Sequence, residues 1–177
     1  FDAIQALTSL VVVSCGHTEA TYEDGLKAVS CGATLLTHVY NAMNPFHHRM
    51  PGLVGLLSSK AKLARSGLNR PFFSIIVDGI HVHESAVCMA YSNHPNGCVL
   101  VTDAMAAMGL GDGYHTLGNM KVSIQGDRAT LANSDTLAGS VVSLDTCIKR
   151  FRQFSGCSIG EALLCATLHP AQVLKRH

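Results

Sequence analysis

The stretch Ala33-Thr34-Leu35-Leu36-Thr37-His38-Val39-Tyr40-Asn41-Ala42-Met43 decides the fold. It is short, apolar and β-branched, and it lies between Gly32 and Pro45. Such a run reads as a buried parallel strand, with His38 and Asn41 projecting from its C-terminal end. Chemistry in α/β barrels sits at that end of the strands. Three further segments repeat the design: Val11-Val12-Val13 leads to His17, Phe72 to Val77 leads to Asp78 and His81, and Val99-Leu100-Val101 leads to Asp103. Four strand ends carrying reactive side chains are expected to meet on one rim.

The segments between them read as helices. Thr18 or Thr21 can cap one running to about Ser30, with Gly32 as its stop, and a short helix is expected from Leu53 to about Lys62. Glu84 to His94 is closed by Pro95 and Gly97. With strands at Leu10–Ser14, Phe72–Val77 and Cys98–Thr102 around the central one, the order is β-α-β-α-β-α-β, all parallel. Beyond Asp103, Gly109, Gly111, Gly113 and Gly118 suggest a flexible loop. Alternation at Met120, Val122 and Ile124, a turn at Gln125-Gly126-Asp127 and Ala129 to Leu131 then suggest a β-hairpin. Ser140 to Phe154 reads as a helix ended by Gly156, and Ser158 with Glu161 opens another that stops before Pro170.

With 177 residues, 47% of them hydrophobic and 14% charged, the chain can bury a sizeable core. A net charge of +1 without a basic cluster argues against nucleic acid or a charged membrane surface as partner. No stretch approaches the ~20 apolar residues of a membrane span. Seven cysteines, none in Cys-x-x-Cys spacing, read as reduced thiols and imply the cytoplasm. The glycine-rich stretch at 109–113 fits neither the Rossmann nor the Walker-A pattern. Phe1 is not an initiator Met, so the chain is expected to be part of something longer.

Six motifs, in order, carry a resemblance: Gly16-His17-Thr18, Thr37 to Met43, Arg49-Met50-Pro51-Gly52, Asp78-Gly79-Ile80-His81-Val82, Thr102-Asp103-Ala104 and Thr136-Leu137-Ala138-Gly139-Ser140. Together they resemble the N-acetylglucosamine-6-phosphate deacetylase family of the amidohydrolase superfamily. The resemblance implies the second half of a (β/α)8 barrel, four parallel strands with helices and a small β-hairpin insertion. Residues 1–177 would then be a partial catalytic domain without its N-terminal half.

It also implies roles. His17 and His38 match the family's metal histidines, for one divalent ion per subunit with zinc foremost, and the family's metal glutamate has no counterpart. Asp103 matches the general base. Asn41, Ala42, Arg49, Asp78, Gly79, Ile80 and His81 match phosphate and sugar contacts, and Leu137, Ala138 and Gly139 the surroundings of the N-acetyl group. The arginine crosses from a second subunit, implying a homodimer. Met50 departs from the acidic residue usual between that arginine and the Pro-Gly.

The implied reaction is hydrolysis of N-acetylglucosamine 6-phosphate to acetate and glucosamine 6-phosphate in amino-sugar catabolism, with the chain alone inactive. Two alternatives stand beside it. One is a non-catalytic piece retaining sugar-phosphate or subunit contacts. The other is an amidohydrolase of another amide, such as a dihydroorotase-like cyclic substrate, against which Arg49 with Asn41 and Ala42 argues.

Overall fold

The computed structural model describes residues 1–175. Its centre is a parallel sheet of four strands in the order β1 (Ser14–Cys15), β2 (Leu35–Leu36), β3 (Phe72–Ile76) and β4 (Cys98–Val101). Sequential strands are neighbours throughout, as in a barrel wall. The helices are α1 (Asp2–Leu7), α2 (Tyr22–Ser30), α3 (Lys60–Arg65), α4 (Glu84–Asn93), α5 (Leu144–Ser155), α6 (Ile159–Ala166) and α7 (Leu168–Val173), with a 3-10 turn at Leu53–Ser58 before α3.

β3 is regular because it is paired on both sides: Phe72 and Phe73 face Leu35 and Leu36, while Phe73 to Ile76 face Cys98 to Val101. The core gathers Phe73, Ile75, Leu36, Leu53, Leu56, Val87 and Phe151, all essentially inaccessible. Burying each of the larger ones stabilises the fold by roughly 1.5–3 kcal/mol. Phe151 of α5 meets Tyr91 of α4 edge to face at 5.0 Å, locking two outer helices together.

Local rules set several boundaries. Thr21 caps α2 reciprocally with Asp24, and Ser158 caps α6 with Glu161, each pair satisfying amides that helix geometry leaves free. Gly156 ends α5 at φ 70°, where a side chain would be strained.

Three expectations need correction. The first strand is not Leu10–Ser14: Leu10 is 79% exposed and Val11 55%, and pairing begins at Ser14. Among the described residues β1 is an edge strand, with hydrogen bonds to β2 alone, so its apolar start lacks a second neighbour to order it. A six-residue helix, α1, precedes it.

The central strand ends at Leu36, and the following residues turn irregularly, with φ of 25° at His38, 78° at Tyr40 and 51° at Ala42. The insertion is a three-stranded antiparallel sheet and not a hairpin: β5 (Gly113–Leu117), β6 (Met120–Gln125) and β7 (Arg128–Leu131). Gly118-Asn119 is the two-residue turn between β5 and β6, so part of the glycine-rich region is strand. The helix opened by Ser158 and Glu161 does stop before Pro170, which falls in a further helix, α7, in a first turn whose amides need no intrahelical acceptor.

Candidate functional site

Gly16 turns the chain out of β1 directly against β2: a Cβ there would lie 2.5 Å from the Thr37 Cβ. This close approach brings the next residue, His17, beside His38. Their Nε2 atoms are 2.9 Å apart and their rings meet edge to face at 4.7 Å. Ser74 of β3 holds the other flank. Its hydroxyl accepts the His38 N–H at 2.7 Å, and its carbonyl accepts the Val39 N–H at 2.8 Å.

His17, His38 and Asp103 sit at φ of 47°, 25° and 50°, so three of the four strands are followed, two residues on, by a left-handed non-glycine residue. That conformation costs about 1–3 kcal/mol per residue and is concentrated at functional positions.

Two imidazole nitrogens this close can share one cation, since Zn–N distances are about 2.0–2.1 Å. They supply two donors, and no cluster of three or more ligating side chains occurs among the described residues. The pair fits part of a coordination shell. His38 Nδ1 and Asn41 Nδ2 are buried without a protein partner among the described residues, an exception that buried polar groups rarely make.

Asp78 follows β3 and is fully buried. Its Oδ1 accepts the N–H groups of Ile80 and His81, both at 2.9 Å, and its Oδ2 lies 2.6 Å from the His81 Nδ1. Burial alone would raise this carboxyl's pKa, but the hydrogen bonds from His81 and Ile80 outweigh it and hold the group below its ordinary value. The Asp78 carboxylate therefore serves its own loop: it fixes the His81 ring through Nδ1 and leaves Nε2 for another partner. Gly79, at φ 75°, makes the turn between them.

Asp103 follows β4, its side chain exposed. Its carbonyl accepts the Ser140 N–H at 3.0 Å, and Met105 N–H donates back to the Ser140 carbonyl at 2.9 Å. Gly139 lies against this backbone, where a Cβ would sit 3.3 Å from the Asp103 carbonyl oxygen. Ala138 N–H donates to the Ala129 carbonyl of β7 at 3.1 Å, and Leu137 bridges to Thr130. Residues 137–139 are thus held between the insertion and the Asp103 turn.

Arg49 is exposed on the loop after β2, where its Nη1 donates to the His48 Nε2 at 2.8 Å. It lines a cleft of about 540 Å³ together with Asn44, Pro45, His47 and the exposed Met50. Asn44 also borders a second cleft of about 400 Å³ lined by His17, Thr18, Ala42 and Met43. The arginine and histidine regions are therefore contiguous. The predicted residues fall into groups along one rim in strand order: His17 with His38, Arg49 beyond Asn44, Asp78 with His81, and Asp103 with 137–139.

Sequence reasoning missed three contributors. Ser74 had a signal, a lone hydroxyl in the apolar run Phe72 to Val77. His48, which steadies Arg49, had only adjacency. Arg150 of α5 donates to the Asp78 carbonyl and to Asp127 Oδ2, and nothing local announces either contact.

No protein-family model matches the chain. A curated relative, N-acetylglucosamine-6-phosphate deacetylase of Bos taurus, is 48% identical over 174 residues, which is 98% of this chain and 42% of the relative. The crystal structure of N-acetylglucosamine-6-phosphate deacetylase from Thermotoga maritima superposes with a TM-score of 0.85 at 34% identity, over 98% of this chain and 46% of that one. A mutant of the Mycobacterium smegmatis enzyme in complex with N-acetyl-D-glucosamine-6-phosphate gives 0.88 at 32% identity, over 99% and 45%. The chain spans under half the length of the proteins it matches. By sequence and fold alike the chain matches part of the N-acetylglucosamine-6-phosphate deacetylases, which are amidohydrolase barrels.

Proposed function

We propose that these residues form part of a metal-dependent deacetylase that hydrolyses the N-acetyl amide of N-acetylglucosamine 6-phosphate to acetate and glucosamine 6-phosphate, a step of amino-sugar breakdown. The observation that carries the reading is the convergence of His17 and His38, Nε2 to Nε2 at 2.9 Å, on the rim that also bears Asp103 and His81. Relatives named for this activity and a neighbouring structure with the substrate bound support it.

His17 and His38 would hold the cation, with zinc the best match to two imidazoles. When bound, such an ion acidifies water and polarises a carbonyl, the two things an unactivated amide requires. Asp103 takes the proton of the attacking water on its carboxylate and returns it to the departing amine nitrogen, serving both half-steps. Arg49 pairs with phosphate oxygens through its planar fork, and His81 presents its Nε2 to the sugar phosphate. Asn41 offers its unpartnered amide and Ala42 its backbone N–H. Leu137, Ala138 and Gly139 form a small apolar wall suited to an acetyl methyl, beside the Asp103 backbone.

With two donors of its own, the 177-residue chain by itself is proposed to be inactive. The exposed position of Arg49 suits service to the site of a second subunit in a homodimer. Seven thiols without a disulfide suit the cytoplasm.

The test is an acetate-release assay on the full-length protein with the phosphorylated sugar, with and without a chelator. Release that needs both the phosphate and the metal is expected. Equal release from N-acetylglucosamine, or none from either sugar after metal is restored, would overturn the reading.

A further inference from the structure

Arg150 stands in an unusual place for a surface cation. It projects from α5, yet its Nη1 donates to the carbonyl of Asp78 and its Nη2 lies 2.6 Å from Asp127 Oδ2. Asp127 belongs to the turn between β6 and β7, and Asp78 opens the loop that carries His81. One guanidinium therefore bridges three elements that are far apart in sequence. The loop turns at Gly79 with its Cα facing the arginine: a Cβ there would lie 3.8 Å from the Arg150 Cδ and Nε. That is ordinary van der Waals contact, and what favours glycine at this position is its φ of 75°.

The far side of the same insertion grips Asp103. β7 carries Ala129, whose carbonyl accepts the Ala138 N–H, and the next residues zip onto the Asp103 turn through Ser140. The sheet β5–β6–β7 is thus a brace with two feet. One, at 138–140, stands on the Asp103 turn; the other, at Asp127, stands on the His81 loop through Arg150. The brace has a core of its own, formed by Met105, Ala107, Val122, Ile124 and Ala129.

We propose that Arg150 is a positioning residue, which ties the Asp127 turn to the Asp78-Gly79-Ile80-His81 loop and so sets where the His81 imidazole stands for a phosphorylated sugar at the rim. This rests on the assignment of His81 to substrate in the function proposed above. Arg150 touches no reacting atom and acts through the loop. The Arg150–Asp127 pair is partly exposed, with 26% and 54% of the side chains accessible, so it contributes little to global stability. Its loss should be read in the geometry of the site. Lysine is only a partial substitute, because its three donors radiate from one nitrogen and lack the planar fork that reaches a carbonyl and a carboxylate at once.

The test compares Arg150→Met, Arg150→Lys and Asp127→Ala in the full-length protein. Arg150→Met is expected to raise KM for N-acetylglucosamine 6-phosphate about tenfold while kcat stays within about twofold, the pattern of a displaced binding group. Asp127→Ala, at an exposed turn where folding is not at risk, should give a smaller rise in the same direction. Arg150→Lys should recover only part of the loss.

The decisive comparison uses a His81→Ala background. If Arg150 works through His81, Arg150→Met adds no further KM effect there; additive effects, or an unchanged KM in the single variant, would overturn the proposal. Amide hydrogen exchange supplies a readout without activity. Arg150→Met should speed exchange at Ile80 and His81, and at 126–128, by about tenfold together. Unchanged protection in either segment would also overturn it. A wild-type protein that failed to turn over the sugar would sink the proposed function, while exchange would still decide the role of Arg150.

Discussion

Asp78 and His81 form a closed pair at the end of β3: the carboxylate takes two backbone N–H groups on one oxygen and faces the imidazole Nδ1 at 2.6 Å with the other. Its pKa is lowered because bonds from His81 and Ile80 overcome the effect of burial. A lowered folded pKa means stability that is present above the ordinary carboxylate value and is lost as pH falls through the folded value. Asp78→Asn should remove that acid-side loss and lower stability at neutral pH by roughly 1–3 kcal/mol, since the amide cannot accept all three bonds with full charge. Urea denaturation at pH 7 and in strong acid measures both.

His94 gives a second pH window. Its pKa is pushed down to about 4, first by burial and then by the nearby Arg70, with smaller effects from His169 and Lys60. The unfolded chain takes up this proton near the ordinary histidine value, so stability is complete above about 6.5 and declines as pH falls toward 4. Gln in place of His94 should flatten the stability profile between those values; a profile that kept its slope would assign the loss to other groups.

Metal retention should follow the histidine pair. Changing His17 or His38 to Ala in the full-length protein should weaken divalent-ion affinity by at least roughly 10–100-fold, the range seen when even outer partners of a ligand are removed. Elemental analysis after dialysis, with zinc offered back at known concentrations, reads the effect. Stoichiometric zinc in the double variant would show that the ion sits elsewhere.

Asp103→Asn preserves shape while removing the basic oxygen. Turnover should drop roughly 10²–10⁴-fold with substrate binding nearly intact. Steady-state kinetics at saturating sugar suffices, and full turnover would take the proton-transfer role away from this residue.

Arg49→Ala acts on recognition. The phosphate lies far from the amide, so KM for the phosphorylated sugar should rise by about 10-fold or more, the order of one charge-assisted contact, with little change for the unphosphorylated sugar. Equal weakening for both would remove Arg49 from the phosphate.

What could be read from sequence follows the range of the forces involved. The parallel order, the caps at Thr21 and Ser158 and the stop at Gly156 are encoded within a few residues, and each matches the structure. The placement of His17, His38, Asp78 and Asp103 was legible because each follows a strand. Failures occurred where a partner decides. Val11 has strand propensity but no second neighbour in the described sheet. β5 was hidden by Gly111 and Gly113, although Gly118-Asn119 marked its turn. Arg150 meets Asp78 across 72 positions and Asp127 across 23, distances over which no periodicity speaks.

The left-handed backbone at His17, His38 and Asp103 bears on any attempt to improve this protein. A library screened only for thermal tolerance would drift toward glycine or asparagine at those three places, since either relaxes the main chain there. The winners would be sturdier and inert. Screening for heat resistance and for turnover should therefore diverge first at these three codons, before any substitution in the core separates the two populations.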